Sequence, residues 1–256
     1  MRLKDKVIVV TGGTSGIGAA IVERCVAEGA RVVVHGIDRV QGEAVVRAHA
    51  DRTTLVIADL VDPASPRRIV DETLAAFGRI DGLVNNAARV ARSTLETTSA
   101  VFFDEMMAIN LRAPLLLIQA AWPELKKNRG AVLNIGSVNA YNGEPTLLDY
   151  SLSKGALMTL SRNLANAAGP EGVRFNHLNV GWVLTERERC HQIELGQPAD
   201  WYEHVPTAFA PSGRLIRPEE VAAAAVYWLG DESRPISGSV LELEQYPIIG
   251  RNPVKS

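Results

Sequence analysis

The sequence has only two cysteines, Cys25 and Cys190, far apart and in no CxxC spacing. That excludes a disulfide scaffold and fits a reducing compartment. Cys25 falls among the apolar helix positions Ile21, Val22 and Val26 and reads as small core packing. Charge of a single sign is equally scarce. The 27 Lys and Arg are interspersed with 29 Asp and Glu, leaving a net charge of −2, so no basic stripe is present to recruit nucleic acid or an anionic membrane. Long apolar runs are missing too. Stretches such as 221–229 are too short to cross a bilayer, and residues 1–6 lead straight into an apolar strand rather than into a signal-peptide core. His191, His204 and Cys190 have no metal-ligand spacing, so no metal is expected. These absences lead us to expect a cytoplasmic protein with no nucleic-acid or membrane partner.

What is present is alternation. Short runs rich in Val, Ile and Leu at 7–10, 31–35, 55–58, 82–85, 131–135, 173–178 and 240–243 are apolar on both faces, as in strands covered by helices on both sides. Amphipathic stretches at 16–28, 40–50, 64–77, 100–127, 149–168 and 218–229 separate them. Strand and helix in turn imply parallel pairing through right-handed crossovers. With no low-complexity linker and no internal repeat, the expected fold class is α/β: one doubly wound, Rossmann-type domain over 1–256, with about seven parallel strands flanked by helices on both faces. One segment, 184–216, is out of rhythm. It is rich in His, Trp, Tyr and Pro, and its aromatics Trp201, Tyr202 and Phe209 suggest a substrate lid. Within it, 186–189 (Glu-Arg-Glu-Arg) reads as a solvated helical turn.

The first strand runs into Thr11-Gly12-Gly13-Thr14-Ser15-Gly16-Ile17-Gly18 at the start of a helix. Glycine serves where the chain turns tightly and backbone must approach a pyrophosphate, which the free N–H groups of the helix start can hold. Steric need alone also puts glycine in such turns, but the position after the first strand favours a dinucleotide site built from Gly12, Thr14, Ser15, Gly16, Ile17 and Gly18. No Gly-Lys-Ser/Thr follows, which disfavours a nucleoside triphosphatase. Adenosine contacts are expected at the ends of the next strands, from Asp59 and Leu60 and from Asn85, Asn86 and Ala87. Asp59 also reads as a helix cap and Asn85 as a turn residue.

Tyr150 and Lys154 lie four apart, on one helix face, and Ser137 ends the fifth strand at the same sheet edge as the glycine loop. Hydride transfer to a carbonyl needs a proton donor for the developing alkoxide. A phenol, with an ordinary pKa near ~10, needs a neighbouring positive charge to act near neutrality. Lys154, together with the cationic nicotinamide of an oxidised coenzyme, is expected to supply that charge, and Ser137 to hydrogen-bond the substrate oxygen. Asn110 sits inside the expected long helix 100–127, with Pro114 four residues on. Proline frees the carbonyl at i−4 and bends the helix there, so Asn110 could hold a water that passes protons from Lys154, or mark a packing kink.

Thr11-Gly12 with Gly16-Ile17-Gly18, then Asn85-Asn86-Ala87, Asn110, Ser137 and Tyr150-x-x-x-Lys154 resemble, in order and spacing and over nearly the whole chain, the short-chain dehydrogenase/reductase family. The resemblance implies an NAD(P)-dependent oxidoreductase interconverting a secondary alcohol and a carbonyl, with Asn110, Ser137, Tyr150 and Lys154 as the catalytic tetrad and Lys154 also on the nicotinamide ribose. It implies cofactor contacts from Val183 and Thr185, although Val180 replaces the family's usual proline. It also implies a homotetramer built on the helices that begin near Ala100 and Asp149. A same-fold epimerase or dehydratase is disfavoured by the short chain, and a non-catalytic cofactor sensor by the complete tetrad.

Cofactor choice is expected at the end of the second strand. Gly36 and Ile37 occupy the usual acid and arginine positions, Ser15 stands where NADP users often have a base, and Asp38 lies near the spacing of a ribose-binding acid. The missing bases favour NAD over NADP, with Arg39 still in reach of a phosphate. Aromatic and polar groups mixed in the lid (Arg187, Arg189, His191, Trp201, Tyr202, His204), with Trp182 before it and Asn139, Tyr141 and Glu144 near Ser137, suit a sugar or polyol. From these, Asn139, Trp182 and Trp201 are the candidate substrate contacts. Gln245 and Tyr246, followed by an apolar tail through Gly250, are expected to cover a neighbouring subunit's pocket.

Overall fold

The computed structural model describes residues 1–249. Seven strands form one sheet: β1 (Val7–Val10), β2 (Arg31–Gly36), β3 (Thr53–Ile57), β4 (Gly82–Asn85), β5 (Ala131–Ser137), β6 (Arg174–Val180) and β7 (Val240–Leu243). Their order is β3-β2-β1-β4-β5-β6-β7, with every pair parallel. The helices are α1 (Gly16–Ala27), α2 (Arg39–Arg47), α3 (Ser65–Phe77), α4 (Ala100–Met107), α5 (Ala113–Asn128), α6 (Asn139–Asn142), α7 (Leu148–Ala167), α8 (Glu186–Glu194) and α9 (Pro218–Leu229).

Neighbouring side chains on a strand point to opposite faces, which explains why four successive apolar residues are buried in β1. Ile8 and Val10 join Val32, Val34 and Leu133 in a core with Ile21, Val22 and Cys25 of α1 and Val221 and Val226 of α9. Burial pushes the Cys25 thiol up to about 12, which fits its expected place in the packing. Val9 joins Val33, Leu83, Val132 and Phe175 in a second core with Ile69 of α3, Leu117 of α5 and Ala165 of α7. Chain order reverses between β1 and β4, so their carboxyl ends diverge into the crevice where this architecture binds ligands.

The expected helix over 100–127 is interrupted. Between α4 and α5 the chain makes a π-helical turn, Ala108–Arg112, closed by the Ala113 N–H donating to the Ala108 carbonyl. Pro114 has no N–H to give Asn110, so the wider turn takes up the bend.

The segment between β6 and α9 leaves and returns at one place. Val183 and Ile216 form a parallel bridge; the Leu184 N–H donates to Ile216 O at 2.8 Å and the Ile216 N–H to Trp182 O at 3.2 Å. Inside it Trp201, Val205, Ala210 and Leu215 make a small core with Trp182, Leu184 and Tyr202. The expected helical turn is α8, whose N-cap Thr185 accepts from the Glu188 N–H. The Gln245 side chain after β7 is engaged within the chain. Its amide accepts from Ser212 N (3.0 Å) and Ser212 Oγ (2.6 Å) and donates to Arg214 O (2.8 Å). Gln245 therefore ties down this chain's own 184–216 segment, because three local partners satisfy its amide. The expectation for the apolar tail at Gly250 lies outside the described residues.

Phe175 is fully buried and lies 6.3 Å from the Trp122 ring across the second core. Phe175→Ala should lower unfolding free energy by about 3–5 kcal/mol, read as a lower urea midpoint with an unchanged slope.

Candidate active site

The glycine loop is shaped by contacts that admit no side chain. Gly12 has φ +62° and Gly16 φ +52°, the left-handed region. A Cβ on Gly12 would lie 2.9 Å from Ala87 Cα, and one on Gly18 1.9 Å from Gly12 O. The loop is tied to the exit of β4 through Thr11, whose Oγ1 accepts from Asn86 N (3.0 Å) and Ala87 N (3.1 Å). The Asn86 amide in turn donates to Thr11 O (2.9 Å) and Gly12 O (3.1 Å). Ser15 precedes α1 without capping it, so the N–H groups of Ile17 and Gly18 in the first turn are not taken by that side chain. An uncapped helix start behind closely approaching glycines, at the β1/β4 crevice, fits a dinucleotide pyrophosphate. Thr185 closes over this loop: its Cγ2 would sit 3.3 Å from a Cβ on Gly16, and Val183 is buried just before it.

Other residues expected at the cofactor have structural tasks as well. Asp38 is exposed and caps α2, accepting from Gln41 N at 3.0 Å. Asp59 is exposed and accepts from Val61 N at 2.9 Å, while the cap of the next turn is Asp62, which accepts from Ala64 N. The Leu60 side chain is buried in the second core, which leaves only its backbone for a ligand. Asn85 is no turn residue: it lies in β4, and its amide donates to Asn134 Oδ1 at 2.7 Å.

At the same edge α7 brings Tyr150 and Lys154 to the end of β5. The hydroxyls of Tyr150 and Ser137 share a hydrogen bond, and Asn139 N donates to Ser137 Oγ at 3.2 Å. Lys154 is 3% exposed and donates from Nζ to Ile135 O at 2.8 Å. Its ammonium stands 5.6 Å from the centre of the Tyr150 ring. Burial pushes Tyr150 up to about 12, offset in part by the Ser137 bond, and burial pushes Lys154 down to about 8. Of the two, the lysine lies nearer neutrality; burial is the cause, while the bond to the strand carbonyl favours its charged form.

Asn110 is buried, and its side chain is fully engaged. Oδ1 accepts from Arg89 N (2.8 Å), and Nδ2 donates to Arg89 O (3.0 Å) and Ser153 Oγ (2.9 Å). Ser153 donates to Tyr150 O at 2.7 Å. The side chain thus joins the π turn to α7 and to the β4 exit, which leaves the Asn110 carbonyl, not its amide, as the group for a water. Sequence reasoning passed over Ser153 and Thr11; their signal was position inside the two motifs, Ser153 beside Lys154 and Thr11 beside Gly12.

The expected substrate residues divide. Asn139 is half-buried at the start of α6, next to Ser137. Trp182 follows the β5–β6 pair that joins Ser137 to Val180. Trp201 is 6% exposed and stacks on Trp182 with ring centres 5.4 Å apart, so its main task is to pack the 184–216 segment. Both tryptophans line a cleft of about 290 Å³ with Gln192, Gln197, His204 and Phe209. Trp182 Nε1 and Gln192 Nε2 both donate to Glu188 Oε1, each at 2.9 Å. Among the described residues no three His, Cys, Asp or Glu side chains are grouped to hold a metal ion.

Comparison with known proteins agrees with this geometry. A family model described as enoyl-(acyl carrier protein) reductase matches residues 12–244. L-fucose dehydrogenase of Bos taurus is 35% identical over 241 residues, covering 94% of this chain and 88% of that one. A crystal structure of a Beutenbergia cavernae protein assigned as an NAD(P)-dependent gluconate 5-dehydrogenase, with NADP at low occupancy, superposes with a TM-score of 0.84 at 31% identity. It covers 94% of this chain and 96% of that one. The 3-ketoacyl-(acyl-carrier-protein) reductase of Brucella melitensis, complexed with NADH, gives 0.82 at 28% identity, with coverage of 94% and 97%. With the glycine loop, the Ser137–Tyr150 pair and Lys154 all at one sheet edge, the chain belongs to the short-chain dehydrogenase/reductase family and is an NAD(P)-dependent oxidoreductase.

Proposed function

We propose that the chain oxidises a ring or chain hydroxyl of a sugar or polyol, and reduces the corresponding carbonyl, at the Ser137–Tyr150–Lys154 cluster. The observation that carries this reading is the bond between the Ser137 and Tyr150 hydroxyls beside the buried Lys154 ammonium. NAD(P) held by Gly12, Thr14, Ser15, Gly16, Ile17 and Gly18, with Asp38, Asp59, Leu60, Asn86, Ala87, Val183 and Thr185 around it, supplies the hydride acceptor or donor. Ser137 holds the substrate oxygen against Tyr150. In oxidation the phenolic oxygen takes the hydroxyl proton; in reduction it returns one to the oxygen. Lys154 contributes positive charge beside the phenol and exchanges protons outward through a water held at the Asn110 carbonyl.

A sugar is favoured by the cleft that starts at Trp182. Aromatic faces (Trp182, Phe209) lie beside the amides of Gln192 and Gln197, a pairing that suits C–H surfaces and hydroxyl edges together. Residues 184–216 act as the lid of a single catalytic domain. NAD is the preferred coenzyme. Neither Ser15 nor Ile37 offers a cation for a 2′-phosphate, and the Arg39 guanidinium lies 3.7 Å from the Glu43 carboxylate. The chain assembles as a homotetramer in the cytoplasm. Exposed Val101 and Phe103 on α4, Leu115 on α5 and Leu152 on α7 support apolar contact between copies. The unpaired Cys25 and Cys190 fit a reducing compartment.

A panel of aldoses, sugar acids and polyols, read as stoichiometric NADH or NADPH formation, tests the assignment; a steroid or acyl substrate outpacing every sugar would overturn it. Tyr150→Phe should cost about 10²–10⁴-fold in turnover while leaving coenzyme binding within twofold or so.

The pH dependence has a definite sign. Oxidation needs the Tyr150–Lys154 pair one proton down, and Lys154 loses its proton near 8. Oxidation kcat/KM should therefore rise about tenfold per pH unit below that value and level off above it, while carbonyl reduction should be level below it and fall about tenfold per unit above it. A shared break point with the slopes on opposite sides of it, measured with one substrate pair, checks this.

A further inference from the structure

His35 is a fully buried imidazole, one residue from the end of β2, that the proton path does not use. Its Nε2 lies 2.9 Å from Ala58 O. A carbonyl only accepts, so Nε2 carries the proton in the neutral ring and Nδ1 keeps a lone pair. Gly12 N donates to that lone pair at 3.4 Å, and Gly13 N donates to His35 O at 2.8 Å. One residue thus receives two successive amides of the glycine loop, one on its ring and one on its backbone. From the opposite side the Asn86 amide donates to Gly12 O, so the left-handed peptide at Gly12 is gripped at both ends. The far end of the ring reaches the residue that leads into Asp59 and Leu60. Gly36 completes the fit, since a Cβ there would lie 2.4 Å from Thr14 Cγ2.

We propose that His35 is a positioning residue for the coenzyme, fixing the Gly12 turn and locking the glycine loop to the end of β3, where the adenosine contacts are expected. The proposal rests on the reading of that loop as the dinucleotide site. It also carries a pH sense. A second proton on the ring would place an N–H at Nδ1 against the Gly12 N–H, two donors with no acceptor. Burial holds His35 below the ordinary histidine range. The Arg68 guanidinium of α3, bonded to Ile57 O, acts the same way, while the Ala58 bond and the Asp59 carboxylate oppose it. A lowered folded-state value keeps the ring neutral, and its Nδ1 acceptor in place, at about 6.5, where an ordinary histidine is half-protonated.

Calorimetric titration of NADH and NADPH into the full-length protein tests this without turnover. His35→Phe, which keeps the ring but neither nitrogen, and His35→Gln, which does not place an acceptor at Nδ1, should each weaken both coenzymes about tenfold. His35→Asn, whose Oδ1 can stand in for Nδ1, should stay within about threefold. kcat at saturating coenzyme should be unchanged in all three. If His35→Phe melts early, the Asn–Gln contrast still decides. Wild-type affinity in a well-folded His35→Phe, or equal weakening in His35→Asn and His35→Gln together with a fall in kcat, would overturn the proposal. A wild type that binds neither coenzyme, or binds them equally well after Gly18→Trp blocks the loop, would overturn the reading of the loop itself.

Discussion

A buried ammonium must find an acceptor, and the one Lys154 finds is the carbonyl of Ile135. That single bond fixes how far along β5 the helix α7 can slide and how it is rotated. Tyr150, one turn earlier on the helix, is thereby carried to Ser137 two residues further along the strand. The cost of losing the bond would be that of an unpaired charge in an apolar interior, far larger than any gain from an alternative packing. The parallel sheet supplies the other half of the constraint. All its strands end at one edge, so a turn after β1, a loop after β4 and a helix packed beside β5 and β6 converge without long excursions.

Around that contact the polar groups are disposed in layers. Thr11 and Asn86 join the loop after β1 to the exit of β4; Asn110 joins that exit to α7 by way of Arg89 and Ser153; His35 joins the loop to β3. None of these links is a surface ion pair; most are partly buried, and the Asn110–Ser153 and His35–Ala58 bonds are fully so, where an unpaired group costs most. The site is therefore stiff on its cofactor side. The 184–216 segment rests on a separate aromatic cluster.

How much of this could be read from the chain depends on how local the cause is. The bounds of β1, β7 and α9 follow from runs whose limits are set by neighbours in sequence, and the expected spans match them. The five motifs placed the Tyr–Lys pair, Ser137 and the glycine loop at one edge because parallel topology leaves no other arrangement. What failed to show were choices made across the fold. Pro114 announced a bend but not that a π turn would absorb it. The spacing of Tyr150 and Lys154 gave proximity but not direction, and the ammonium turned to Ile135. Trp201 has the composition of a ligand contact and the burial of a core residue. Gln245 looked free to reach outward, and its partners lie thirty residues back in the same chain. A polar side chain advertises that it needs a partner; which partner it takes is settled only by packing.

The bridge between Val183 and Ile216 has a consequence for how such a protein can change. The intervening residues carry their own small core and join the body of the domain at one bridge, with further ties at the Gly16 turn and at Gln245. Replacing or lengthening them alters no strand register and neither of the two cores beneath. The segment is in effect an interchangeable cartridge, open to replacement without rebuilding the sheet that carries it.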